Sequence, residues 1–272
     1  MFLINIRGDM ITSIANQRIK NTVQLIRSTK ERKKQGVFVA EGIHMFLETP
    51  QRLLSEVYVS ENFVCKEDHK KLLDTKQVPY EVVSDEVFVR ISDTVTPQGI
   101  ICVVRKPVYD FERLLHGKDT NLLILENIQD PGNLGTMFRT GEGAGVTGII
   151  LSQGCADLFA PKTVRSTMGS IYRVPYYKTD SLQDTLYELK RQGVLTYAAH
   201  SRGEKCYDAF DYRKGTAFLI GNEGNGLTKE ALELADICLK IPMGGQLESL
   251  NAAMAAGILM YEVNRQRRCR CI

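Results

Sequence analysis

The chain has 272 residues, 43% of them hydrophobic and 25% charged, which excludes wholesale disorder and fibrous repeats and leaves room for one large or two ordinary domains. A net charge of +3 is too mild to name a partner, because phosphate binding depends on where the charges cluster. Seven cysteines, an odd number without CxxC spacing, argue against a disulfide framework or a structural zinc site and point to a reducing, cytoplasmic setting with no metal.

The opening MFLINIRGDM is too briefly apolar for a signal peptide, and no later run approaches membrane-spanning length. Met10 is a candidate start, since Ile11 opens the first well-patterned segment. Over 11–107, VFVAEG (37–42), EVYVS (56–60), PYEVVS (79–84) and GIICVVR (99–105) predict strands, separated by helical stretches such as 41–48 and 66–74, an α/β pattern. Arg18, Lys20, Arg27, Lys30, Arg32, Lys33 and Lys34 face the single acid Glu31, a density that fits an RNA phosphate-binding stripe as well as a solvated helix face. At 106–120 a proline, mixed charges and a glycine interrupt the pattern, which predicts a linker at 108–120 between a domain over 11–107 and another over 121–272.

From 121 the strands are fuller: NLLILENI (121–128), GIILSQ (148–153), VLTYAAH (194–200), TAFLIGN (216–222) and ICLKIPM (237–243) read as buried parallel strands with helices between most of them. A helix over 181–193 aligns Leu182, Leu186 and Leu189. The last helix aligns Leu250, Ala253, Met254, Gly257, Ile258 and Tyr261 on a face expected to meet the core. The terminal RQRRCRCI reads as a frayed, solubilising tail.

Two glycine-rich stretches invite nucleotide-binding readings, and both fail. Gly143-Ala-Gly145-Val-Thr-Gly148 has the GxGxxG spelling but precedes a strand instead of following one. The run 221–230, GNEGNGLTKE, follows a strand yet lacks the phosphate-gripping Lys-Ser/Thr pair of a P-loop. Its glycines let bare backbone approach a ligand, and Glu223 lies where open α/β sheets bind theirs.

Three stretches end strands of the C-terminal half: 126–145 (ENIQDPGNLGTMFRTGEGAG), 219–227 (LIGNEGNGL) and 239–257 (LKIPMGGQLESLNAAMAAG). Together, in this order and spacing, they resemble the SpoU family of RNA 2′-O-methyltransferases within the trefoil-knotted SPOUT class. Upstream, ITSIANQRIK, KERKKQG and FVAEG are similar to an N-terminal RNA-binding domain with an L30e-like fold. The resemblance implies a parallel-sheet α/β domain with a deep trefoil knot, S-adenosylmethionine as cofactor and transfer of its methyl group to a ribose 2′-hydroxyl. It also implies a homodimer, with large-subunit ribosomal RNA as the favoured substrate.

Residue by residue, it implies catalytic roles for Asn133, Arg139 and Glu223. Arg139 would contact the nucleotide and steady the developing alkoxide, since an arginine almost never deprotonates. Asn133, expected in the turn before the helix of Arg139, would orient the ribose or Arg139, and Glu223 would pair with Arg139 or a ligand. Cofactor contacts, largely through backbone, are implied at Ala199, Gly221, Asn222, Gly224, Ile241, Met243, Ser249, Leu250 and Asn251. RNA contacts are implied at Arg18, Lys20, Lys30, Arg32, Lys33 and Lys34. The chain departs from the family at Gly141, usually alanine, and at Ala252-Ala253, usually Val-Ser. A catalytically idle RNA-binding protein and a base methyltransferase of the same class are the competing readings.

Overall fold

A computed structural model describes residues 8–269; the apolar start and the tail residues Arg270, Cys271 and Ile272 lie outside the described residues. The chain forms two compact units that are not contiguous in sequence. The first takes in the described residues through Pro107 together with Asp157–Tyr172, and the second takes in Val108–Ala156 and the described residues from Arg173 onward.

In the first unit, α1 (Gln17–Arg27) and α2 (Thr29–Gln35) precede β1 (Val37–Glu41). Then come α3 (Ile43–Glu48), β2 (Leu54–Ser60), α4 (Glu61–Val64), α5 (Glu67–Lys76), β3 (Glu81–Val83), α6 (Asp85–Ile91) and β4 (Ile100–Arg105). The second unit starts with β5 (Asn121–Leu125), α7 (Pro131–Ala144) and β6 (Gly148–Leu151). The chain next contributes α8 (Pro161–Thr167) to the first unit, and afterwards β7 (Tyr176–Lys178), α9 (Leu182–Arg191), β8 (Leu195–Ala199), β9 (Lys205–Cys206), β10 (Thr216–Ile220), α10 (Lys229–Leu234), β11 (Ile237–Lys240) and α11 (Ala252–Arg268) to the second.

The first unit's sheet runs β1-β4-β2-β3, with β4 antiparallel to both neighbours and β3 parallel to β2. Asn16 caps α1 by accepting from the Arg18 amide, and Ile19, Thr22 and Leu25 form its buried face. Segment 157–172 joins this unit because β1 offers Phe38, whose ring lies 4.9 Å from Phe159 and 6.2 Å from Tyr172.

Arg32 corrects the expected RNA stripe. It is 3% exposed. Its Nη1 donates to the carbonyls of Leu25 and Ile26 (2.6 and 2.9 Å), closing the end of α1, while Nε and Nη2 donate to Asp157 Oδ2 (3.1 and 2.7 Å). Arg18 forms an ion pair with Glu81. Lys20, Arg27, Lys30, Lys33 and Lys34 are exposed.

The second unit holds a seven-stranded, all-parallel sheet in the order β7-β6-β5-β10-β8-β11-β9. Its two end strands, YYK and KC, carry no apolar run and escaped the sequence reading. α9 is capped by Ser181 and buries Leu186 and Leu189. The expected linker at 108–120 is instead packed: Leu114 is fully buried, its carbonyl accepts from Thr147 Oγ1, and Phe111 meets the Tyr177 ring edge-on at 5.4 Å.

The core face of α11 is also a correction, since Ala253, Ala256, Leu259, Met260 and Val263 are buried while Met254 and Tyr261 are 61% and 51% exposed. The described part of the tail is anchored where fraying was expected. Arg267 donates to the carbonyls of Asp119, Thr120, Tyr212 and Lys214, and Arg265 pairs with Glu262.

Candidate active site

The sheet order puts β5 beside β10, with β6 and β7 continuing to one side and β8 and β11 to the other. Ligands of open parallel sheets bind beyond the carboxyl ends of strands at such a reversal. The segments that follow β5 and β10 here carry Asn133 and Glu223.

Asp130-Pro131 starts α7: the aspartate side chain accepts from the Asn133 amide at 2.8 Å and the proline occupies the first turn. Asn133 therefore sits inside the helix that carries Arg139, not in the turn before it. Six residues along one helix separate the two by about 9 Å and about 120° of rotation. Arg139 is exposed and, among the described residues, forms no hydrogen bond or ion pair. The expected Glu223–Arg139 pair is thus not formed in the structure.

Glu223 has other partners. Its Oε1 accepts from Asn133 Nδ2 (2.9 Å) and the Asp130 amide (3.2 Å), and its Oε2 accepts from the Gln129 amide (3.2 Å). Partial burial pushes this carboxyl up, but the hydrogen bonds from Asn133, its own amide, Gln129 and Asp130 outweigh burial and hold it below the usual glutamate range. Asn133 Oδ1 in turn accepts from Asn251 Nδ2 at 3.0 Å. Asn251 Oδ1 caps α11 by accepting from the Ala253 and Met254 amides (2.9 and 3.3 Å). One chain of side chains thereby joins the residues after β10, the first turn of α7 and the start of α11.

The strap after β10 is built by backbone. Asn222 and Gly226 exchange two hydrogen bonds (3.0 and 2.9 Å), and Asn222 Oδ1 accepts from the Gly224 and Asn225 amides. Its Nδ2 donates to the carbonyl of Asn127, a residue at φ +56°. A Cβ on Gly221 would lie 2.2 Å from the Gly226 carbonyl carbon and the Leu227 amide, so only glycine fits. Asn222, expected at the cofactor, is therefore engaged in holding the strap.

The pairings Ala199↔Leu239 and Ala198↔Leu219 put Ala199, Gly221 and Ile241 at one edge of the sheet. The chain after β8 rests against β11, with the His200 amide donating to Leu239 O (3.0 Å) and a Cβ on Gly203 falling 2.2 Å from the Leu239 carbonyl carbon. Met243 and Leu250 are half-buried, and Gly224 and Ser249 are exposed. Half-buried backbone on three adjacent strand ends, with open space over Gly244 and Gly245, fits a ligand held largely by peptide groups.

Sequence reading missed the two amides that feed Glu223, and it missed Glu126. That buried carboxylate accepts from the amide and hydroxyl of Thr228, the cap of α10, both at 2.8 Å. The Asp-Pro spelling was a legible signal for the α7 start. Nothing local marks Glu126.

Comparison with known proteins places the chain in a family. The SpoU rRNA methylase family profile matches residues 120–261, and an MRM3-like substrate-binding domain profile matches residues 16–102. A 23S rRNA (guanosine(2553)-2′-O)-methyltransferase of Bacillus subtilis is 35% identical, over 93% of this chain and 98% of its own. The SpoU methyltransferase AviRb of Streptomyces viridochromogenes superposes with a TM-score of 0.83 at 25% identity, over 94% of this chain and 99% of its own. An AdoMet-bound rRNA methyltransferase of Sinorhizobium meliloti gives 0.81 at 29% identity, over 96% and 98%. With its profile spanning more than half the residues and its strand order bringing the three motifs together, the chain belongs to the SpoU rRNA methylase family.

Proposed function

We infer that the chain transfers the methyl group of S-adenosylmethionine to a ribose 2′-hydroxyl of RNA, in the large-subunit ribosomal RNA on which its relatives from Bacillus subtilis and Streptomyces viridochromogenes act. The observation that carries the reading is the Asn251–Asn133–Glu223 chain at the sheet's switch point. The cofactor supplies an electrophilic methyl on a sulfonium, and the protein's task is positioning.

Backbone of Ala199, Gly221, Ile241 and Leu250 holds the cofactor, with Met243, Ser249 and Gly224 closing around it. Asn222 and Asn251 act by fixing the loops that carry these residues. Glu223, ionised at neutral pH, aims the Asn133 amide at the ribose. Arg139, with all its donors free among the described residues, holds the target phosphate and steadies charge on the attacking oxygen. The family's trefoil knot belongs to this reading, with the final helix passing through the loops near 199–203, 221–227 and 241–250.

Arg18, Lys20, Lys30, Lys33 and Lys34 contact RNA phosphates. Arg32 is withdrawn from that set. The exposed Met254 and Tyr261, seven residues apart on one face of α11, support a homodimer through that helix. No helix among the described residues is long and apolar enough to cross a membrane, and among them no group of three or more His, Cys, Asp or Glu could hold a metal. A reducing cytoplasm, where ribosomes assemble, is the proposed setting.

The test is mass spectrometry of nuclease-digested ribosomal RNA from a strain lacking the gene. One ribose-methylated nucleotide should be missing and should return on complementation with the wild-type chain but not with Arg139→Ala. Unchanged ribose methylation in the deletion strain would overturn the ribosomal assignment. A missing base methylation would overturn the ribose chemistry.

A further inference from the structure

Among the described residues, the non-glycines with positive φ are Gln77, Asn127 and Met168. Gln77 and Met168 end α5 and α8, where a left-handed residue is an ordinary helix stop. Asn127, at φ +56°, ends no helix. It follows β5 in the stretch that leads to Asp130 and α7, and a left-handed residue held at the mouth of a site calls for a functional reason.

One hydroxyl holds it there. The Asn127 amide donates to Ser152 Oγ at 2.9 Å, and Ser152 Oγ donates to Asn127 Oδ1 at 3.2 Å. Ser152 is itself tied to the sheet, its amide donating to Leu125 O at 2.9 Å. A Cβ on Gly154 would collide with Asn127 Oδ1, so the loop after β6 is shaped around this side chain. The Asn127 carbonyl then meets Asn222 Nδ2 at 2.8 Å, and Asn222 Oδ1 accepts from the Gly224 and Asn225 amides. Glu126, the preceding residue, holds the other end of the strap through Thr228. The strap that carries Glu223 is thus tied at both ends to consecutive residues. Its tie at Asn222 depends on a backbone conformation that asparagine tolerates and most side chains do not.

We propose that Asn127 is a positioning residue for methyl transfer: its left-handed backbone aims its carbonyl at Asn222, which fixes the strap and so the place from which Glu223 orients Asn133. The inference deepens the RNA methyltransferase reading and rests on it for the reaction. The operative group is the carbonyl, so the side chain serves only to keep the backbone in place.

Steady-state methyl transfer by the full-length chain to ribosomal RNA purified from the deletion strain tests it, with urea melts giving the folded fraction of each variant. Asn127→Val places a β-branched side chain where positive φ is needed, and Asn222→Ala removes the group the carbonyl meets. Each should lower kcat about tenfold, what losing one well-placed hydrogen bond costs, with KM for RNA unchanged. The double variant should be no slower than either single one, because the two residues act through one bond. Asn127→Gly, the conservative change for a backbone role, should recover most of the rate that valine loses. If Asn127→Val does not fold, Asn127→Ala takes its place with the same expected direction. A kcat per folded enzyme that stays at the wild-type value, with only the melt shifted, overturns the proposal. So does a glycine variant as slow as the valine one, or losses that multiply in the double variant. A wild type that methylates while the variants keep its kcat removes the positioning role alone; a wild type that transfers no methyl group removes the enzyme and the role with it.

Discussion

Glu223 accepts from the Asn133 side-chain amide and from the Gln129 and Asp130 backbone amides, donors that all favour its charged form, so in the proposed mechanism it orients groups at neutral pH and does not accept a proton from the substrate. Glu223→Gln keeps the shape but turns an N–H toward a donor. Losing one hydrogen bond to a charged group costs about 1.5–3 kcal/mol, which corresponds to a fall of about tenfold to a hundredfold in kcat/KM for RNA. Because the folded pKa is lowered, the site's order is present above the ordinary glutamate value of 4.5 and is lost only as pH falls below it. Glu223 should therefore put no inflection in the rate profile between about pH 6 and 9; an inflection there that disappears in the glutamine variant would refute the orienting role.

Arg32 shows the limit of charge density as a sequence signal, because its partner Asp157 is 125 residues away and nothing local marks the pair. Arg32→Met should cost about 3 kcal/mol of stability by leaving Asp157 unpaired. Burial raises the Asp157 carboxyl, but hydrogen bonds from Arg32 and the Phe159 amide and the Arg32 charge lower it further, leaving it below 3.8. The pair's stabilisation is thus present above that value and lost as pH falls through the folded pKa. Urea melts at pH 7 and pH 3.5 should show the gap between wild type and variant narrowing in acid, and a constant gap would contradict the ion-pair account.

At the scale of elements, α11 explains why a correct helix was given the wrong buried face. The helix is apolar on two sides: Ala253, Ala256, Met260 and Val263 follow one stripe, while Met254, Ile258 and Tyr261 follow another. Both have helical spacing, and periodicity alone cannot rank them. Met260 of the first stripe lies against Gly141 of α7, while Met254 and Tyr261 of the second are more than half exposed. If α11 is the dimer face, Met254→Glu with Tyr261→Glu should convert a dimer to a monomer in analytical ultracentrifugation. The melting temperature extrapolated to low protein concentration should be unchanged, since neither side chain packs in the core. A dimer that persists would place the interface on another element.

At the scale of the whole molecule, the central strands were legible because strands buried on both faces need continuous apolar runs, as NLLIL and TAFLI have. The short end strands lack that requirement and were not. Segment 157–172 was read with its sequence neighbours, since the partners that draw it into the first unit, among them Phe38, Arg32, Thr49 and Asp93, are all distant in sequence. The three motifs were legible as residues, while the Asn251–Asn133–Glu223 hydrogen bonds depend on which strands become neighbours.

The same distinction governs RNA binding. With Arg32 buried, the proposed RNA contact leaves the electrostatic contribution to the exposed lysines of α2, and each phosphate neutralised would release counterions. Replacing Lys30, Lys33 and Lys34 by alanine should flatten the slope of log Kd against log salt by about 0.7–0.9 for each phosphate no longer neutralised. Affinity at low salt should fall by more than affinity at high salt, and Tm should change little because all three side chains are exposed. An unchanged slope would show that these lysines only solvate the helix, and the electrostatic grip on RNA would then have to come from the second unit.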